Sequence, residues 1–383
     1  MTIKVASIIS RMNVGGPAVM LAGLSEALDS DQFEFSLITG TCNENEEDYL
    51  NSHKIQTNIF YVKEMNKRVN VFNDIACFIR LMLVLRKIDP QIIHTHTSKA
   101  GFLGRIAARI ATPNARLVHT YHGHLLYGYF GSFKSKLIVE VEKLLARITD
   151  KLVAVAEQVR DDLLSRGIGK TTQWVVLHPG IPIVNRAKFC PEPFEGDKNS
   201  RKFTIVWIGR FTQIKNPKLA IEAFEIFSRE SGLKYPNIRL IMIGSGEDFH
   251  TCVELSKRMG LKIDFLGHKS EVYSTLAFAD LLLLTSVNEG LPLVILEAAM
   301  VEVPALSTRV GGVNSFIVDG VTGYFSDSTA EDIAASLLAR LNSKHALKQV
   351  GRAANHLVNE SFSLVKYANS SASFYKSLLT SIE

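Results

Sequence analysis

Ile3-Lys4-Val5-Ala6-Ser7-Ile8-Ile9-Ser10-Arg11-Met12-Asn13-Val14-Gly15-Gly16-Pro17-Ala18 opens on a β-branched apolar run and breaks at two glycines and a proline. Ile3–Ile9 reads as a strand, lacking the apolar length of a signal peptide, and Ala18–Leu28 follows with helical spacing. Strand, glycine turn and helix make the first half of a βαβ unit. The two glycines let the backbone approach a ligand, and the helix N-terminus offers free N–H groups to an anion. The turn is neither GxGxxG nor a Walker A motif, and a plain tight turn explains it as well.

The alternation continues outward from that stretch. Phe35–Ile38, Gln91–His94, Leu117–Thr120 and Leu152–Val155 read as strands, and Asn73–Lys87, Lys99–Ile110, Lys134–Ile148 and Gln158–Arg166 as helices. A second series has strands at Phe203–Ile208, Ile238–Ile243, Ile263–Leu266 and Asp280–Leu284, with helices at Pro217–Arg229, Glu247–Arg258 and Leu293–Val301. Pro179 to Arg201 holds four prolines and several charges, the composition of a linker. The expected fold is α/β: two Rossmann-like doubly wound domains, residues 1–184 and 185–363, facing a central crevice. In such sheets ligands sit on the loops after the strand carboxyl ends.

Composition agrees with this and excludes other classes. At 383 residues, 46% hydrophobic and 21% charged, the chain has material for two cores and is neither disordered, collagen-like nor a disulfide scaffold. A net charge of +5 does not indicate a nucleic-acid binder. Between Asn51 and Thr120, however, eleven Lys/Arg (Lys54, Lys63, Lys67, Arg68, Arg80, Arg86, Lys87, Lys99, Arg105, Arg109, Arg116) face only Glu64, Asp74 and Asp89. That excess suits a polyanion, an anionic lipid head group or a phosphorylated substrate, or simply a solvated helix face. Cys42, Cys77, Cys190 and Cys252 form no CxxC and read as reduced thiols of a cytosolic protein. The longest apolar candidate, Phe72–Ile88, is broken by charges, so a soluble chain is expected, one that can still touch a membrane.

Chemistry-bearing residues gather at strand ends. Gly209-Arg210 closes one strand and Lys215-Asn216-Pro217 opens the next helix, two cations that suit a diphosphate. Gly244-Ser245-Gly246 is a similar turn. Ser286-Val287-Asn288-Glu289-Gly290-Leu291-Pro292-Leu293-Val294-Ile295-Leu296-Glu297-Ala298 sets two carboxylates around a helix start. Burying Glu297 in so apolar a segment requires hydrogen-bond donors, such as a ribose diol. A helix-terminal acid (Glu289) and a core-edge ion pair (Glu297) are the bland alternatives. His94, His96, His119, His122 and His124 cluster at two strand ends, where they suit hydroxyls and phosphate, or a metal. Asp29-Ser30-Asp31 is formally a DxD, at the wrong sheet edge for the crevice.

Together these residues resemble the retaining GT-B glycosyltransferases of family 4, over nearly the whole chain. Gly15-Gly16, the His119–His124 segment, Gly209-Arg210 with Lys215, Glu289-x7-Glu297, and Val310-Gly311-Gly312 with Asp319-Gly320-Val321-Thr322-Gly323 carry the likeness. The resemblance implies a metal-independent transfer from a nucleotide sugar, without other cofactors. Arg210 and Lys215 would hold the diphosphate with Gly15 and Gly16 nearby. Glu289 with Gly290, Leu291 and Pro292 would hold the donor sugar, Gly244 and Gly246 would line the donor site, and Glu297 would hold the ribose. His122 would contact the donor sugar at the reaction centre. Val313-Asn314-Ser315-Phe316 departs from the family, which often has Glu there. Residues 364–383 resemble the helix that crosses back to the first domain.

The first half would bind the acceptor, with His94, His96, Lys99, His124 and Tyr127 as candidates. The aromatic-then-basic stretch Leu125–Lys136 suits either a membrane interface or packing on its own domain. Its likeness to bacterial surface-polysaccharide transferases implies a UDP-activated hexose or N-acetylhexosamine as donor. The acceptor would be a saccharide, polyprenyl-diphosphate-linked, reached from the cytoplasm, peripherally at the inner face of the membrane. The alternatives are a sugar-nucleotide 2-epimerase and a non-catalytic GT-B partner subunit.

Overall fold

In the computed structural model the described residues are 2–43, 46–66, 70–123, 132–189, 203–232 and 238–380, so His124, Tyr127 and most of the linker stretch lie outside them. The chain divides into two compact units, Met1–Pro182 with Ser363–Glu383, and Ile183–Phe362.

In the first unit the elements are β1 (Ile3–Arg11), α1 (Gly16–Ala27), β2 (Phe33–Gly40), α2 (Tyr49–Ser52), β3 (Asn58–Tyr61), α3 (Val71–Ile88), β4 (Ile92–His96), α4 (Ser98–Ala111), β5 (Arg116–Tyr121), α5 (Ser132–Arg147), β6 (Lys151–Ala154), α6 (Glu157–Ser165) and β7 (Trp174–Val176). The sheet is parallel, ordered β3-β2-β1-β4-β5-β6-β7. Helices on both faces bury the central strands, and β4 is buried at every residue.

The second unit contains β8 (Phe203–Ile208), α7 (Pro217–Ser231), β9 (Ile238–Ile243), α8 (Phe249–Arg258), β10 (Ile263–Gly267), α9 (Tyr273–Phe278), β11 (Leu281–Leu284), α10 (Leu293–Met300), β12 (Ala305–Thr308), β13 (Tyr324–Ser326), α11 (Ala330–Leu341) and α12 (Lys344–Ser361). Its parallel sheet is ordered β10-β9-β8-β11-β12-β13. Trp207, Phe211, Phe224 and Phe227 lie in its core. The last helix, α13 (Leu364–Thr380), rejoins the first unit: Leu364 lies against Gly23 of α1, and Tyr375 is fully buried.

Each sheet reverses its strand order once, between β1 and β4 and between β8 and β11. Those two switch points are where loops splay apart and a ligand finds room.

Candidate active site

In the second unit the site is built around the β8/β11 switch. Lys215 precedes Asn216, whose left-handed backbone (φ 48°) swings the chain into Pro217 and α7. Thr285, just after β11, pins this turn: its Oγ1 donates to Asn216 O at 2.8 Å and accepts from Trp207 Nε1 at 3.1 Å. Val287 N donates to Ile214 O at 2.8 Å. So fixed, Lys215 Nζ reaches Glu289 Oε1 at 2.5 Å, and Ser286 Oγ donates to the same oxygen at 2.6 Å. Glu289 is only 8% exposed. It is neither a simple helix acid nor solvated, but a buried carboxylate with one oxygen engaged by a cation and a hydroxyl.

The glycines around it have distinct reasons. A Cβ on Gly311 (φ 50°) would stand 1.9 Å from Glu289 O, so only glycine allows the turn after β12 to press on this loop. Gly244 and Gly246 likewise back onto Gly209 O and Phe211 O, with Cβ distances of 1.9 and 2.4 Å, which makes them loop-on-loop contacts. Leu291 is buried, and Pro292 caps the start of α10. Arg210 is exposed and has no ion pair among the described residues.

Glu297 has no hydrogen-bond or ion-pair partner among the described residues, so the core-edge ion pair is not formed. Burial, and then the like charge of Glu271, push its carboxyl up to about 7. Tyr273, beside it, is pushed up by burial and by the same carboxylates.

In the first unit Gly15 is the N-cap of α1 and Gly16 its first residue. A Cβ on Gly15 would meet nothing nearer than Asn13 O at 3.9 Å, so packing within the chain does not require glycine there. Thr97 (φ 63°) closes β4, and its Oγ1 pairs with Ser10 Oγ at 2.8 Å, tying the ends of β1 and β4 together.

The histidines are paired rather than pooled. His94 Nδ1 meets Tyr375 Oη at 2.7 Å and its Nε2 meets Thr120 Oγ1 at 2.6 Å. His119 Nδ1 pairs with Thr95 Oγ1 at 2.9 Å, and His96 Nδ1 with His122 Nε2 at 3.0 Å. Burial drives all four toward the neutral form: His94 to about 3, His122 to about 4, His96 and His119 well below the usual imidazole range. Among the described residues no three His, Cys, Asp or Glu side chains are arranged to hold a metal ion.

On the acceptor side both ring nitrogens of His94 are engaged inside the cluster. Lys99 pairs with Asp74 at 2.6 Å. The basic excess is partly internal too: Arg80, Arg105 and Arg109 pair with Glu64, Glu142 and Asp150. Tyr375 was invisible to sequence reasoning, since 281 residues separate it from His94. Asp29-Ser30-Asp31 is a solvated turn in which Asp29 accepts from Asp31 N at 2.9 Å.

Residues 14–184 match the family Glycosyltransferase Family 4, and residues 191–357 match Glycosyl transferases group 1. Among relatives, the UDP-Gal:alpha-D-GlcNAc-diphosphoundecaprenol alpha-1,3-galactosyltransferase of Escherichia coli is 28% identical over 363 residues, covering 89% of this chain and 88% of that protein. EpsD of Bacillus subtilis (strain 168), described as a glycosyltransferase, is 31% identical over 266 residues, 66% of this chain and 67% of its own. Among solved structures, Anabaena HepE in complex with UDP and glucose has a TM-score of 0.80 over 98% of this chain and 100% of that one, at 18% identity, a likeness of fold alone. The architecture is that of the GT-B glycosyltransferases. Within that class, the chain belongs to glycosyltransferase family 4.

Proposed function

We propose that this glycosyltransferase moves a hexose or N-acetylhexosamine from a UDP-activated sugar to a hydroxyl of a saccharide on a polyprenyl-diphosphate carrier, in surface-polysaccharide synthesis. Transfer retains the anomeric configuration and uses no metal. The Lys215–Ser286–Glu289 cluster at the β8/β11 switch carries this reading. Its two bonds converge on Glu289 Oε1, which leaves Oε2 to accept from sugar hydroxyls. Arg210 and Lys215 face the leaving diphosphate, where fixed cations stabilise the charge that develops in the transition state. Two ribose hydroxyls donating to Glu297 would complete its bonding and bring its pKa back down. The name of the Escherichia coli relative, with its UDP-Gal donor and diphosphoundecaprenol carrier, supports the choice of donor and acceptor class.

A peripheral membrane contact at the cytoplasmic face belongs to the same reading. No helix among the described residues is long and apolar enough to cross a membrane. On α3, Phe72, Ile75, Ile79 and Leu83 form an exposed apolar stripe, Phe72 being 85% exposed, beside exposed Arg80, Arg86 and Lys87. Apolar stripe and basic flank suit an anionic lipid surface.

The test is thermal stability against UDP, GDP and ADP, each with and without EDTA. A ligand at a hundred times its Kd adds about 2.7 kcal/mol of stability. UDP is expected to stabilise, EDTA to change nothing, and the product anomer to match the donor's. Stabilisation by GDP or ADP instead moves the donor, loss with EDTA refutes metal independence, and no shift at all refutes the enzyme reading.

A further inference from the structure

His96 Nδ1 and His122 Nε2 share one hydrogen bond, 3.0 Å long, between the end of β4 and the residue after β5. One proton serves that bond, so one ring donates and the other accepts. A neutral imidazole carries a single N–H. If His96 donates from Nδ1, its Nε2 is bare, and His122, accepting at Nε2, must carry its own proton on Nδ1. If His122 donates from Nε2, its Nδ1 is bare and His96 carries its proton on Nε2. In both states the outer ends of the pair are one donor and one acceptor, and the tautomer of either ring dictates the other's.

Those outer ends, His96 Nε2 and His122 Nδ1, are buried and have no hydrogen-bond partner among the described residues. Buried ring nitrogens are ordinarily satisfied, so a pair left open at both ends marks a place for ligand hydroxyls. The surroundings keep the rings in this form. His94 lies against His96 with ring centroids 4.2 Å apart, and Tyr375 and Thr120 hold it in place. Burial holds both rings neutral, reinforced at His96 by the neighbouring imidazoles.

We propose that His96 is a positioning residue: it occupies His122 Nε2, so that a hydroxyl of the bound sugar meets His122 only at Nδ1, in a tautomer coupled to that of His96. The role in transfer rests on His122 contacting the donor sugar.

The experiment reads isotope-labelled ring nitrogens by long-range proton–nitrogen NMR in the full-length protein. Asn at this position places an amide where Nδ1 stood, and Gln places one where Nε2 stood. In the wild type a coupling across the N–H···N bond is expected. His96→Asn should keep His122 Nε2 hydrogen-bonded, whereas His96→Gln and His96→Ala should free it and change the His122 ring signals. A wild type without the coupling, or His122 ring signals in His96→Gln unchanged from the wild type, overturns the proposal. The Asn and Gln variants are close in size, so they decide the matter even if His96→Ala does not fold. UDP-galactose then serves as probe: a shift at His122 Nδ1 is expected in the wild type. If UDP-galactose binds without that shift while the coupling persists, the sugar-contact reading fails and the role in transfer with it, and the paired rings stand.

Discussion

At the scale of single residues, Glu289 and Glu297 show what burial does to two carboxylates of one motif. Glu289 has a cation and a hydroxyl on it, and Glu297 has neither among the described residues. Lys215→Ala should therefore act twice. It removes a charge from the leaving group, costing on the order of 10²-fold in turnover, and it leaves a buried carboxylate without its cation, which lowers the melting temperature as well. Wild-type turnover in that variant would refute the assignment. For Glu297 the sign runs the other way. Its folded pKa of about 7 lies above the ordinary carboxylate value, so the native state loses stability as pH rises from about 4.5 through 7. Glu297→Gln should raise the melting temperature at pH 8, leave it unchanged near pH 4, and weaken UDP binding. Thermal scans at both pH values, with and without UDP, check all three. Glu289 and Glu297 were both marked by the sequence, through a carboxylate pair set in an apolar helix start. Which one is paired was not, because Lys215 comes from a loop 74 residues away.

At the scale of elements, the ends of β4 and β5 concentrate neutral histidines inside the first unit. Each binds a proton in the unfolded chain at an ordinary pKa near 6.5 and refuses it when folded, so stability falls as pH drops from 6.5 toward about 4. For His94, 2% exposed, this amounts to about 2 kcal/mol at pH 5. His94→Gln should flatten the dependence of the melting temperature on pH, although it also disturbs Tyr375. A slope equal to the wild type's would show that His94 is not held neutral. The β12-to-β13 connection gives a sharper expectation. Gly311→Ala drives a Cβ into Glu289 O, so it should cost several kcal/mol and UDP binding together. On α3, Ile79→Asp with Leu83→Asp should abolish sedimentation with anionic vesicles and leave the melting temperature alone, because both side chains are exposed. Unaltered sedimentation would remove α3 from the membrane reading. The helical period of α3 was legible in the sequence, but its exposed stripe was not, since Phe72 and Leu83 look like core residues until the neighbouring helices are in place.

At the scale of the whole molecule, two parallel sheets hold two separate cores, and the chain's last helix belongs to the first of them. Tyr375 on α13 pairs with His94 from 281 residues away, so Tyr375→Phe should lower the melting temperature by about 1 kcal/mol equivalent and loosen hydrogen exchange at β4. Ending the chain at Phe362 should expose the face of α1 around Gly23 and destabilise the first unit, with exchange protection in β8 and β11 retained. The alternation of apolar runs and amphipathic helices and the glycine turns at strand ends were enough by themselves to determine the doubly wound class. Periodicity and turn residues are local, so one sequence displays them. Only the tertiary structure decided that His94 is closed off, that His96 and His122 hydrogen-bond to each other, that Lys99 is held by Asp74 and that Glu297 has no partner among the described residues. Those outcomes depend on which distant side chains meet in a low-dielectric interior, and no local pattern encodes that meeting.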